Sequence, residues 1–227
     1  MGKNKQQRYR EVEEFPNVFL YTDYTEGSEK PRGKWHSDIF KNVNPIIAEL
    51  ACGKGDYTLQ LSDKYPDKNY IGIDIKGDRI WKGAKKALKD GRDNVRFLRI
   101  YIDHLDEYFE FGEISEIWIT FPDPYPKKGD ISKRLTSPKF LNIYSRVLKP
   151  GGLIHLKTDS DLLFEFTMET IRNNKCEFVN ASNDIYNEKS VDNDLMIKTY
   201  YEKKHLENRK TIKYVAFRLP EKIANHQ

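Results

Sequence analysis

Four carboxylates stand where loops would follow short apolar runs: Glu49, Asp74, Asp123 and Asp159. Glu49 opens the stretch Glu-Leu-Ala-Cys-Gly53-Lys-Gly55-Asp56, whose glycines allow a tight turn and close approach of backbone to a ligand. Asp74 follows about 20 residues later, the spacing at which a carboxylate accepts hydrogen bonds from ribose hydroxyls. A nicotinamide-type loop needs a third glycine, and that position holds Thr58. A loop with fewer glycines and more carboxylates suits a ligand that has a ribose and no phosphates. Phe121-Pro-Asp123-Pro-Tyr-Pro-Lys127-Lys128 is the most distinctive stretch. Three alternating prolines fix φ and remove donors, so this loop is stiff enough to hold one carboxylate and one ammonium in place.

These residues need strands to carry them. Apolar runs at 45–51, 69–75, 94–100, 115–121 and 153–158 predict five strands, and helical spacing predicts helices over 57–65, 78–90, 103–109, 137–148 and 160–173. Continuous apolar strands alternating with helices argue an α/β fold, a parallel sheet covered on both faces. EFVNAS and TIKYVAFRL (211–219) read as two last strands joined by a long polar connection. Residues 1–42 show no clear periodic element and read as a basic, partly flexible extension draped over a domain spanning 43–220. In such sheets ligands bind beyond the carboxyl ends of the strands, where all four carboxylates fall.

Composition narrows the class. Hydrophobic residues make up 38%, charged residues 33% and aromatics 13%, too aromatic for a disordered chain. Two cysteines and five scattered histidines show no metal-ligand spacing, so no metal is expected. No signal peptide and no membrane span are read from the sequence, which points to the cytoplasm. The net charge is +4. From Asp123 to Lys149 seven basic residues (Lys127, Lys128, Lys133, Arg134, Lys139, Arg146, Lys149) face two acids, Asp123 and Asp130. The N-terminal arm (Lys3, Lys5, Arg8, Arg10) and the segment from Lys198 to Lys222 are also basic. Together these clusters predict a phosphate-binding footprint.

ELACGKG, GIDIKGDRIWKGAKKA, ITFPDPYPKK, KRLTSPKFL, LKPGGLIHLKTD and TYYEKK occur in that order. Over about Trp35 to Phe217 the chain resembles the bacterial tRNA (guanine-N7-)-methyltransferase family, the TrmB type. The resemblance implies a Rossmann-like class I methyltransferase fold, with a seven-stranded, mostly parallel sheet whose last strand is antiparallel. It also implies S-adenosyl-L-methionine as methyl donor and a tRNA variable-loop guanine, at position 46, as acceptor. Glu49, Gly53, Gly55, Asp74 and Asp123 then match the cofactor-binding positions, with Asp123 also catalytic. Lys127, Asp159, Thr199 and Glu202 match substrate-side positions. Two departures stand out: Tyr101 where many relatives carry an acid, and GDISKRL in place of a run of Arg and His, leaving Lys133 and Arg134.

Guanine N7 carries an in-plane lone pair and no proton, so methylation there needs no general base. Alignment and electrostatics are the expected means, with Asp123, helped by Asp159, stabilising the cation formed on the base and Lys127 donating to O6. Rival readings are methyl transfer to another RNA or a small molecule, and a non-catalytic RNA-binding relative. The oligomeric state is not legible in the sequence.

Overall fold

The computed structural model describes residues 4–23, 29–188 and 191–221. Lys3 and Lys222, counted above among the basic clusters, lie outside them. The strands are β1 (Val18–Leu20), β2 (Ile46–Leu50), β3 (Asn69–Ile73), β4 (Val95–Arg99), β5 (Ile114–Thr120), β6 (Leu148–Thr158), β7 (Glu177–Ser182) and β8 (Lys213–Arg218). They form one sheet in the order β1-β4-β3-β2-β5-β6-β8-β7. β8 runs antiparallel to both its neighbours and every other pairing is parallel. Every residue of β2 and β3 is buried, as continuous apolar runs require when both faces are covered.

The helices are α1 (Lys5–Glu13), α2 (Asp56–Lys64), α3 (Gly77–Lys89), α4 (Leu105–Tyr108), α5 (Pro138–Tyr144), α6 (Asp161–Asn173) and α7 (Tyr200–Glu207). One buried cluster joins Leu105, Phe140, Tyr144 and Leu163 of α4–α6 to one face of the sheet. A second joins Val12, Leu59 and Ile80 of α1–α3 to the other face, with Leu206 of α7 packed against it. From β2 the chain builds outward through β3 and β4, then returns to lay β5 on the other side of β2. That reversal opens the crevice in which α/β sheets bind ligands.

Three sequence-based expectations change. The sheet has eight strands rather than seven, because residues 18–20 of the extension pair in parallel with β4. A three-residue strand is too short to leave a period in the sequence. The extension is also anchored elsewhere. Trp35 is fully buried, donates from Nε1 to the Tyr108 carbonyl at 2.8 Å and stacks on Phe109 at 5.0 Å. Next, β6 begins at Leu148 rather than 153: Ile114 pairs with Leu148 and Glu116 with Leu153, so KPGG forms a bulge. Finally, the polar connection before β8 contains α7, started by a capping box in which Thr199 accepts from the Glu202 N–H and Glu202 reaches back to the Thr199 N–H.

Candidate active site

The expected donor end is built from β2, β3 and the turn into α2. The Gly53 N–H donates to Asp74 Oδ2 and the Lys76 N–H to Asp74 Oδ1, each at 2.9 Å, so Asp74 ties the glycine loop to the end of β3. Glu49 lies beneath the loop, 3% exposed. Its Oε2 accepts from the Thr58 N–H at 2.8 Å and the Thr58 hydroxyl at 2.6 Å, and its Oε1 from the Thr120 hydroxyl at 3.0 Å. Burial pushes the Glu49 carboxyl up to about 7, against the pull of those bonds.

The two glycines differ. Gly53 has φ 56°, and a side chain there would find only Tyr201 at 3.9 Å, so its backbone stays open to a ligand. Gly55 has φ 68°, and a Cβ there would come within 2.6 Å of Phe97. Its smallness serves packing of the loop on the sheet.

The expected acceptor end follows β5. Phe121 and Tyr125 have φ of 50° and 44°, the left-handed region that costs non-glycine residues roughly 1–3 kcal/mol each. Arg134 holds the loop there. It is 5% exposed, donating from Nε to the Pro124 carbonyl at 3.1 Å and from Nη2 to the Tyr125 carbonyl at 2.9 Å, with its guanidinium 4.5 Å from the Phe166 ring centre. The expectation that Arg134 meets RNA is therefore corrected, because its cation is consumed by the loop's carbonyls. Asp123 is exposed on this loop and has no hydrogen bond or ion pair among the described residues.

Asp123 faces an open cleft of about 920 Å³, lined also by Asp159, Tyr201, His205 and Arg209. Asp159 accepts from Lys210 Nζ at 2.5 Å and stands 3.2 Å from His205 Nδ1. The His205 ring stacks on Phe121 at 5.5 Å. Tyr201 and His205, four apart on α7, share the face turned to the cleft.

The other expected substrate residues fall elsewhere. Lys127 is exposed and is not among the residues lining the cleft. Thr199 and Glu202 are buried in the capping box and present no open face. Glu202 pairs with the buried Lys157 at 2.7 Å, and Lys157 also donates to the carbonyls of Leu195 at 2.6 Å and Ile197 at 3.0 Å. Burial pushes the Lys157 ammonium down to about 8. This pair fastens α7 to the end of β6, and so holds Tyr201 and His205 at the cleft. Sequence reading missed Lys157, Arg134, Tyr201 and His205. The capping-box spacing of TYYE was the available signal for the helix that carries the last two.

Among the described residues no group of His, Cys, Asp and Glu is arranged to hold a metal, and no helix is long and apolar enough to cross a membrane. An open glycine turn beside a strand-end carboxylate, with a second carboxylate across the switch point of a mostly parallel sheet, fits the class I methyltransferase fold, and comparison with known proteins shows that class. The KamB 16S rRNA methyltransferase has the same fold: TM-score 0.65 at 12% identity, covering 85% of this chain and 96% of that one. The family described as "Putative methyltransferase" matches residues 43–215. A tRNA (guanine-N(7)-)-methyltransferase of Bacteroides thetaiotaomicron is 46% identical over 97% of this chain and 88% of its own. One from Porphyromonas gingivalis is 47% identical over 92% and 87%. The chain belongs to the tRNA (guanine-N(7)-)-methyltransferase family.

Proposed function

We propose that this protein transfers the methyl group of S-adenosylmethionine to N7 of a guanine in tRNA, the variable-loop guanine at position 46, giving 7-methylguanosine. One observation carries the reading: an unpaired carboxylate, Asp123, on a loop clamped across the switch point from the glycine turn. The chemistry of the donor end fits S-adenosylmethionine. Gly53 leaves backbone open, and Asp74 keeps lone pairs for ribose hydroxyls beyond those its two backbone donors use. Glu49 places negative charge under a ligand that carries cationic groups.

Bound there, S-adenosylmethionine supplies an electrophilic methyl group whose sulfonium charge is lost in the transfer. Guanine N7 becomes cationic as it accepts the methyl group, with no proton to remove. Asp123, unpaired on its clamped loop, is the group assigned to stabilise that charge once the base and donor close the cleft to water. Asp159 is paired with Lys210, with His205 Nδ1 at 3.2 Å, and contributes less. Phe121, His205 and Tyr201 offer flat surfaces to a base drawn out of its stack. Arg79 and Arg209 line the cleft where Lys127 does not, and stand better placed to donate to O6.

The test is transfer of labelled methyl from S-adenosylmethionine to unmodified tRNA, followed by nucleoside analysis. 7-Methylguanosine confined to position 46 is the expected product. Another methylated nucleoside, or transfer to small molecules without RNA, would overturn the assignment.

A further inference from the structure

A second depression, about 620 Å³, lies beside the cleft between α2, α3 and α7. Lys54, Lys86, Lys198, Lys203 and Tyr200 line it, with Asp56 as its carboxylate. The Tyr200 N–H donates to Asp56 Oδ2 at 2.7 Å, so part of that negative charge is already engaged. Lys86 pairs with Asp90. Lys54, Lys82, Lys198, Lys203 and Lys204 pair with no carboxylate among the described residues. Partial burial, and after it the nearby ammonium groups of Lys82 and Lys204, hold the Lys54 ammonium below the ordinary lysine range. A surface that gathers repelling cations gains most from a polyanion.

Lys198, Lys203 and Lys204 belong to one of the three basic clusters read from the sequence, whereas the cluster from Asp123 to Lys149 is different. Lys133 pairs with Asp130, Lys139 with Asp103 and Arg146 with Asp106, while Arg134 is buried under the loop. Lys127, Lys128 and Lys149 have no carboxylate partner among the described residues, but Lys149 lines a separate pocket with Pro150 and Pro220.

We infer that the groove between α2, α3 and α7 holds the phosphate backbone of the RNA whose base enters the cleft. An aromatic ring set among cations favours RNA over an acidic protein surface, because bases stack on it while phosphates meet the lysines. Lys54 lies over the half-exposed Tyr200 ring at 3.0 Å and Lys204 at 4.8 Å. The Tyr200 ring meets Tyr201 edge to face at 5.5 Å, and Tyr201 lines the cleft. Groove and cleft therefore adjoin across the tyrosine pair, giving one continuous track for a nucleotide chain. The inference rests on the proposed transfer to tRNA.

The test compares two triple variants in tRNA binding across a salt series, with far-UV circular dichroism confirming the fold. Lys82→Gln/Lys198→Gln/Lys203→Gln removes cations from the groove and its border. Lys133→Gln/Lys139→Gln/Arg146→Gln removes the paired ones. The groove variant should bind tRNA at least tenfold more weakly, with the slope of log Kd against log salt reduced by about 2–3. Its rate at saturating tRNA and its affinity for S-adenosylmethionine should stay within about twofold of wild type. The paired variant should shift the slope by less than about one. Equal effects of the two triples, or wild-type binding by the groove variant, would overturn the inference and leave the methyl-transfer reading standing. Wild-type protein that neither binds nor methylates tRNA would remove both.

Discussion

The two sides of the crevice hold their carboxylates in opposite ways. On the donor side Glu49 and Asp74 are buried, and every side-chain oxygen has a protein donor. On the acceptor side Asp123 is exposed and unpaired, and the rigidity lies in the loop beneath it. Under the proposed transfer, the difference follows from what each side does. A donor that must be held still until its methyl group leaves is served by a pre-shaped, satisfied cradle. A charge that forms on the base as the methyl group arrives is served by a carboxylate with nothing else to bind.

Three substitutions sharpen that contrast. The largest effect is expected from Lys157→Met, which leaves Glu202 buried without its partner. Breaking such a pair costs about 3–5 kcal/mol, read as a lower urea midpoint. Because α7 then loses its seat, tRNA KM should rise more than the donor Kd. Equal changes in both would mean that the two sides are not separately held.

Arg134→Ala comes next. It frees the carbonyls of Pro124 and Tyr125 and lets the strained backbone at Tyr125 relax. A misplacement of about 1 Å is enough to cost about 100-fold in kcat. Donor affinity measured by calorimetry should be unchanged, and a matching loss there would erase the distinction between the sides.

The smallest effect belongs to Glu49. With its carboxyl near 7 in the free protein, and a cationic donor favouring the ionised form, donor binding releases a proton. Affinity should therefore weaken as pH falls from 8 to 6, by at most about tenfold per unit below 7. Glu49→Gln should bind more weakly at pH 8 and lose this dependence. A wild-type affinity flat across that range would show that Glu49 does not sense the donor's charge.

Legibility in the sequence followed the length and locality of each signal. Five strands were readable because each carries a short apolar run, wholly buried in β2 and β3, and ELACGKG and FPDPYPKK because their residues act within their own loops. β1 is three residues long and owes its existence to pairing with β4, which sequence periodicity cannot register. Arg134 looked like one more surface cation, and its partners are carbonyls nine and ten residues upstream. TYYE was read as a substrate-facing motif. Its Thr and Glu cap a helix, whereas Tyr201, between them, lines the cleft. The cluster from Asp123 to Lys149 was less legible for a related reason: composition counts cations and cannot show which are paired with Asp103, Asp106 and Asp130.

The most direct measurement is single-turnover methyl transfer to tRNA by wild type and Asp123→Asn, with donor affinity taken on the same preparations. Asparagine keeps the shape and removes the charge. The account predicts a rate at least 100-fold lower, with donor Kd within about threefold of wild type. An asparagine variant that keeps the wild-type rate, or fails only by losing its donor, would contradict the role given to Asp123.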